Sequence, residues 1–270
     1  MEAAAAPAAG KRRVGLMDDL RGFCVFCMIF YHAFVLMSDG FGWAAGTRLF
    51  AFFAPSEPWF AGVFILLCGI SCRLSHSNWA RGGKLLLIAV LITLVTAFVL
   101  PRIGLPGMAI WFGILHLLSV CILLFAMLEK PLTRIPPTAG ILIFLVLLVL
   151  FRNWVDRTGN VGGSFGLWGP LVWQMPLAWH HFKWLFPLGI MHFRFYSADY
   201  FPLIPYAFLF FTGTFLGIYV RDGRLPEWAY PKRSRLFSWL GTHALLIYVL
   251  HMPVIFVLLL LAQAIMKLFS

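Results

Sequence analysis

The chain has 270 residues, of which 61% are hydrophobic and only 11% charged. Soluble domains run near half apolar and about a quarter charged, so this composition excludes an ordinary soluble enzyme and describes an integral membrane protein. The formal net charge of +11 is spread over short connections between apolar runs, which argues against a nucleic-acid partner and for basic loops held on one side of a membrane.

The N-terminal stretch MEAAAAPAAGKRR reads as a disordered cytoplasmic tail over 1–15. Its basic cluster precedes an apolar run, but Asp18, Asp19 and Arg21 intrude, so an uncleaved first membrane helix is expected rather than a signal peptide. A crossing needs about 20 mostly apolar residues. Candidate spans fall at roughly 20–37, 59–75, 84–100, 109–128, 138–152, 202–220 and 236–262, the fifth being short. Together they predict an all-α, polytopic transmembrane bundle of about seven spans, forming one membrane domain over 16–270. Gly213-x-x-x-Gly217 in the sixth span suits a close helix contact.

With the N-terminus in the cytoplasm, 14 of the 21 basic residues lie inside and 7 outside, which predicts an N-in, C-out protein of the plasma membrane. Residues 153–201, rich in Trp, Gly, Pro and His, are expected to form an extracytoplasmic or re-entrant segment at headgroup level. Cys24-x-x-Cys27 and the other three cysteines lie in apolar runs and read as packing residues; no spacing supports a metal site.

The chemistry-bearing residues stand out against this apolar ground. Arg21 and His32 are eleven residues apart in DDLRGFCVFCMIFYHAFVL. On a helix they share a face to within roughly 20°, about 16.5 Å apart along the axis. An ionisable group inside a span is costly and marks a site by default. In the expected topology His32, His116 and His251 sit in the outer half of three spans, and Asp199 lies at the outer mouth of a fourth. Asp18 and Asp19 are expected to cap the first helix. The bland reading of each histidine is a core imidazole bonded to a backbone carbonyl, and of Arg21 a snorkelling anchor.

DDLRGFCVFCMIFYH, LLCGISCRLS, WFGILHLLS, SADYFPLIPYAFLFFTGTFLG and LGTHALLIYVLHMPVI follow one another in the order of a known family. The pattern resembles the DUF1624 proteins, bacterial relatives of heparan-alpha-glucosaminide N-acetyltransferase. Arg21-x10-His32 also resembles the signature of the related acyltransferase-3 group. The animal heparan enzyme has asparagine at the position of His32 and its catalytic histidine where this chain has Trp43, so the acyltransferase-3 arrangement fits better.

The resemblance implies a membrane acyltransferase that moves an acetyl or other acyl group from cytosolic acyl-CoA to an extracytoplasmic sugar or glycan acceptor. Acyl-CoA, the acceptor and membrane lipids would be its partners, with no metal, and a homodimer is one assembly open to it. His32 would be the base, by direct transfer or through an acyl-histidine. Asp199 and His116 would support it as catalytic groups, Arg21 and Arg73 would hold the CoA phosphates, and His251 and Tyr31 would meet the acceptor. The alternatives are a non-enzymatic transporter or flippase of a glycan or lipid using the same groups, a structural subunit, or a haem or quinone carrier.

Overall fold

A computed structural model describes residues 13–105, 107–155, 162–167 and 169–269. Residues 1–12 of the expected tail lie outside the described residues, as do Arg157 and Trp168. The fold is helical: α1 (Gly15–Val35), α2 (Ala44–Phe53), α3 (Glu57–Cys72), α4 (Asn78–Leu94), α5 (Ile114–Leu132), α6 (Pro137–Leu150), α7 (Leu203–Arg221), α8 (Arg235–Thr242) and α9 (Ala244–Leu268). Among the described residues six helical stretches are long and apolar enough to cross a membrane: Gly15–Gly40, Ala44–Cys72, Asn78–Ile103, Ile114–Leu132, Leu203–Arg221 and Ala244–Leu268. The short fifth of the expected spans, 138–152, forms as α6 with 14 residues. At about 1.5 Å per residue it is roughly 21 Å long, short of the ~30 Å hydrocarbon layer.

The boundaries differ from the expected spans in instructive ways. The second crossing begins at Ala44 rather than near 59, because a 3-10 turn over Ala54–Ser56 lets α2 run into α3. The last crossing begins at Ala244 rather than near 236, because the helix breaks at His243. The short α8 is strongly amphipathic, burying Ser238, Leu240 and Gly241 while Leu236 and Trp239 stay exposed.

The chain divides into two compact units, Met1–Phe64 with Gly223–Ser270, and Ile65–Asp222. In the first, α1 packs on α8 and α9. The α1–α8 seam is glycine-lined: a Cβ on Gly22 would stand 1.8 Å from the Phe237 carbonyl oxygen, and one on Gly241 1.9 Å from that of Asp18. Only a side chain of hydrogen lets backbones approach so closely.

In the second unit α5 is the most enclosed helix, with Leu117, Cys121, Ile122 and Phe125 fully buried. It packs on α4 and α7, and α6 packs on α7. Here Gly213 and Gly217 do make the close contact their spacing suggested. Cβ atoms on them would lie 2.3 Å from the Leu66 oxygen and 2.7 Å from the Ile70 oxygen, so α7 lies tight against α3.

Residues 162–167 and 169–201 contain no helix of spanning length. They form a small antiparallel pair, β1 (Ser164–Gly166) with β2 (Val172–Gln174), and short 3-10 turns. Trp154, Met175 and Ile190 make a local core beneath it. Trp173 and Trp184 remain largely exposed.

Candidate active site

In the first unit α1 carries both Arg21 and His32. Asp18 and Asp19 sit within the first turns of α1, but they do not cap it. Val14 occupies the cap position and no side chain closes it. The helix starts earlier than expected, so both carboxylates fall inside it and turn sideways. Asp18 pairs with Arg13 at 2.7 Å and with Arg21 at 3.3 Å. Asp19 accepts from the Arg233 backbone N–H at 2.8 Å and from the Ser238 hydroxyl of α8. Buried polar groups need such partners, and Asp19 finds its own more than 200 residues away in sequence. The Arg21 side chain keeps 23% of its surface exposed.

His32 lies against His251 of α9. The two ring centroids are 4.8 Å apart, and His251 Nε2 is 3.0 Å from His32 Nδ1. His32 Nδ1 also lies 3.1 Å from the Met28 carbonyl, one turn back on α1. His251 Nδ1 lies 2.6 Å from the Tyr248 carbonyl, one turn back on α9. The bland reading, a histidine bonded to its own helix, therefore holds for each ring, but it is incomplete because the rings also meet each other. The Tyr31 ring stands edge-on to His32 at 5.4 Å and also meets Phe50 and Phe60.

His116 and Asp199 come together in the second unit, at the start of α5. Asp199 caps a helix, α5 rather than the neighbouring α7. Its Oδ2 accepts from the Ile114 N–H at 3.2 Å, a favourable place for an anion. The segment 197–201 is laced to 109–112 by Ala198 N–H to Ala109 O and Phe201 N–H to Phe112 O. His116 Nδ1 accepts from the Gly113 N–H at 3.3 Å. The Thr93 hydroxyl gives its one proton to the Ile110 carbonyl at 2.7 Å, so His116 Nε2, 3.2 Å from Thr93 Oγ1, is the donor there. Both nitrogens of His116 are thus engaged.

Arg73, just past α3, is enclosed, with only 1% of its side chain exposed. Its Nε donates to the Thr214 carbonyl at 3.2 Å, and its guanidinium lies 4.8 Å from the Phe125 ring centre. Burial pulls its pKa down, and Glu129, 3.9 Å away, partly offsets this. Arg81 lies over the buried thiols, 3.2 Å from Cys68 Sγ. All five cysteines are free, buried thiols. Among the described residues no group of His, Cys, Asp and Glu is arranged to hold a metal.

Sequence reasoning missed Ser238, Thr93 and Tyr200. Tyr200 donates to the Phe186 carbonyl at 2.6 Å, and burial raises its pKa. None carries a local signal, because each acts on a partner far along the chain or on a backbone carbonyl.

A helical protein with six stretches of spanning length among its described residues, two of them bringing histidines into contact, belongs to the class of multi-pass membrane proteins. The family described as heparan-alpha-glucosaminide N-acetyltransferase, catalytic, matches residues 13–253, and the chain belongs to that acetyltransferase family. No curated protein and no solved structure matches it.

Proposed function

We propose that the chain transfers an acetyl or other acyl group from cytosolic acyl-CoA to an extracytoplasmic sugar or glycan. In this reading α6 makes a short seventh crossing, so the chain lies N-in, C-out in the plasma membrane, with residues 16–270 acting as one acyltransferase domain. The observation that carries the proposal is the His32–His251 pair, with one imidazole on the same helix as Arg21.

Arg21, partly exposed, offers its guanidinium to the CoA phosphates. The pantetheine arm follows the α1 face toward His32, over the roughly 16.5 Å that eleven helical residues span. His32 Nε2 takes the proton of the acceptor hydroxyl or amine as that atom attacks the thioester carbonyl. The tetrahedral intermediate collapses with cleavage of the C–S bond, and the sulfur leaves with the proton held on His32. The products are the acylated acceptor and CoA thiol, and the imidazole is neutral again. Tyr31 is assigned to meet the acceptor, a role its edge-on contact with His32 supports. His116 and Asp199, engaged at the start of α5, are assigned to bracing that helix, and Arg73 to bracing α3 against α7.

The test is His32→Ala assayed in membranes with radiolabelled acetyl-CoA and glycan or glycolipid acceptors. Turnover is expected to fall about 10²- to 10⁴-fold, the usual contribution of a general base. Unchanged turnover removes His32 from the mechanism.

A further inference from the structure

The hydrogen-bond geometry around the histidine pair is directional. A neutral imidazole has one N–H and one bare nitrogen, and which is which follows from its neighbours. A carbonyl oxygen only accepts. His251 Nδ1, 2.6 Å from the Tyr248 carbonyl, must therefore carry the proton. Its Nε2 is then a lone pair, and this lone pair faces His32 Nδ1 at 3.0 Å. His32 Nδ1 must in turn carry a proton, shared between His251 Nε2 and the Met28 carbonyl at 3.1 Å. The opposite assignment sets a lone pair against a carbonyl at both His251 and His32. The remaining nitrogen, His32 Nε2, is bare, and among the described residues nothing donates to it.

We infer that His251 is a positioning residue that locks His32 in the Nδ1–H tautomer, leaving Nε2 as the basic atom. This rests on His32 being the base proposed above. The lock also serves the charged state. When His32 gains a proton at Nε2, its Nδ1–H bond to the His251 lone pair becomes charge-assisted and strengthens. A carboxylate does this in hydrolase triads, fixing the tautomer and supporting the imidazolium. Here a neutral imidazole fills that place, in an apolar setting where a second fixed charge is costly. His251, 7% exposed and bonded to its own helix, is thereby removed from acceptor binding.

The test uses full-length protein in lipid with ¹⁵N-labelled histidine, the His32 signals being identified by their loss in His32→Ala. Wild type is expected to show His32 with protonated Nδ1 and bare Nε2. His251→Gln, whose side chain reaches the Nε2 position with an acceptor oxygen, is expected to keep that tautomer and most turnover. His251→Asn, which reaches only the Nδ1 position, is expected to lose the tautomer. Its kcat should fall about 100-fold, the low end of a base's contribution, with the KM for acetyl-CoA little changed. A His32 ring protonated at Nε2 in wild type overturns the inference. So does loss of turnover in His251→Asn with unaltered His32 signals, or a His251→Gln as inactive as His251→Asn. Full turnover in His32→Ala defeats the catalytic reading instead, and the ring signals of wild type separate that failure from a failure of the lock.

Discussion

The closest backbone approach in the first unit offers a sharp perturbation, Gly22→Ala. The added methyl carbon would stand 1.8 Å from the Phe237 carbonyl oxygen, which belongs to the backbone of α8 and cannot rotate away. Ordinary C···O approaches are about 3.3 Å or more, so α1 must retreat from α8 by about 1.5 Å. The retreat carries Asp19 away from Arg233 N, now at 2.8 Å, and from the Ser238 hydroxyl, stretching both past useful hydrogen-bond length. The protein must either hold the strain, about 1–3 kcal/mol for overpacking, or release it and lose hydrogen bonds to a carboxylate worth about 1.5–3 kcal/mol each. About 3 kcal/mol is expected by either route, or roughly 6–12 °C in melting temperature at 2–4 °C per kcal/mol. The assay is intrinsic tryptophan fluorescence of detergent-solubilised protein on heating. Gly83→Ala on α4 is the control, since a Cβ there meets nothing within 4 Å and should leave stability unchanged or slightly raised. A Gly22→Ala protein that melts with wild type would refute the tight α1–α8 seam.

Two further outcomes probe groups that only the fold exposes. Asp19→Ala strips the acceptor from the Ser238 hydroxyl and the Arg233 N–H, and is expected to cost about 3 kcal/mol, with Asp19→Asn losing less because one oxygen remains. Equal stability of Asp19→Ala and wild type would show these bonds contribute nothing. Tyr200 is a case for pH. Burial raises its pKa in the folded state above the ordinary value near 10, so the folded protein resists forming the tyrosinate. Stability from this source is full below about pH 10 and is lost as pH climbs from there toward the folded value. Tyr200→Phe should cost about 1 kcal/mol near neutrality, for the bond to the Phe186 carbonyl, and flatten the alkaline decline. Melting curves between about pH 8 and 12 decide it, and an unchanged alkaline slope would assign the decline to other groups.

Residue patterns carried much of the architecture. Long apolar runs interrupted by Gly, Pro and basic residues marked the crossings, because a lipid-exposed backbone must bond within its own segment and the helix does so locally. α1 and α9, with hydrophobic runs near their ends, were legible for that reason, and so was the tight contact at Gly213 and Gly217. The Arg21-x10-His32 spacing was legible too, since helical geometry alone puts both on one face. The joining of α2 to α3 was not: the expected second span began only near 59, whereas a 3-10 turn over Ala54–Ser56 carries the helix on from α2.

What the linear sequence determined by itself is the set of segments that must enter the membrane, and the presence among them of ionisable residues too costly to be idle. Tertiary structure alone decided which of those residues meet. Asp19 was a cap until α8 came beside it, and Asp199 caps a helix 85 residues away from it in the chain. His251 was one of several intramembrane histidines until α9 laid it against His32. Hydrogen bonds between distant residues depend on helix rotation and approach, which packing of small side chains sets, and no local pattern of the chain encodes them.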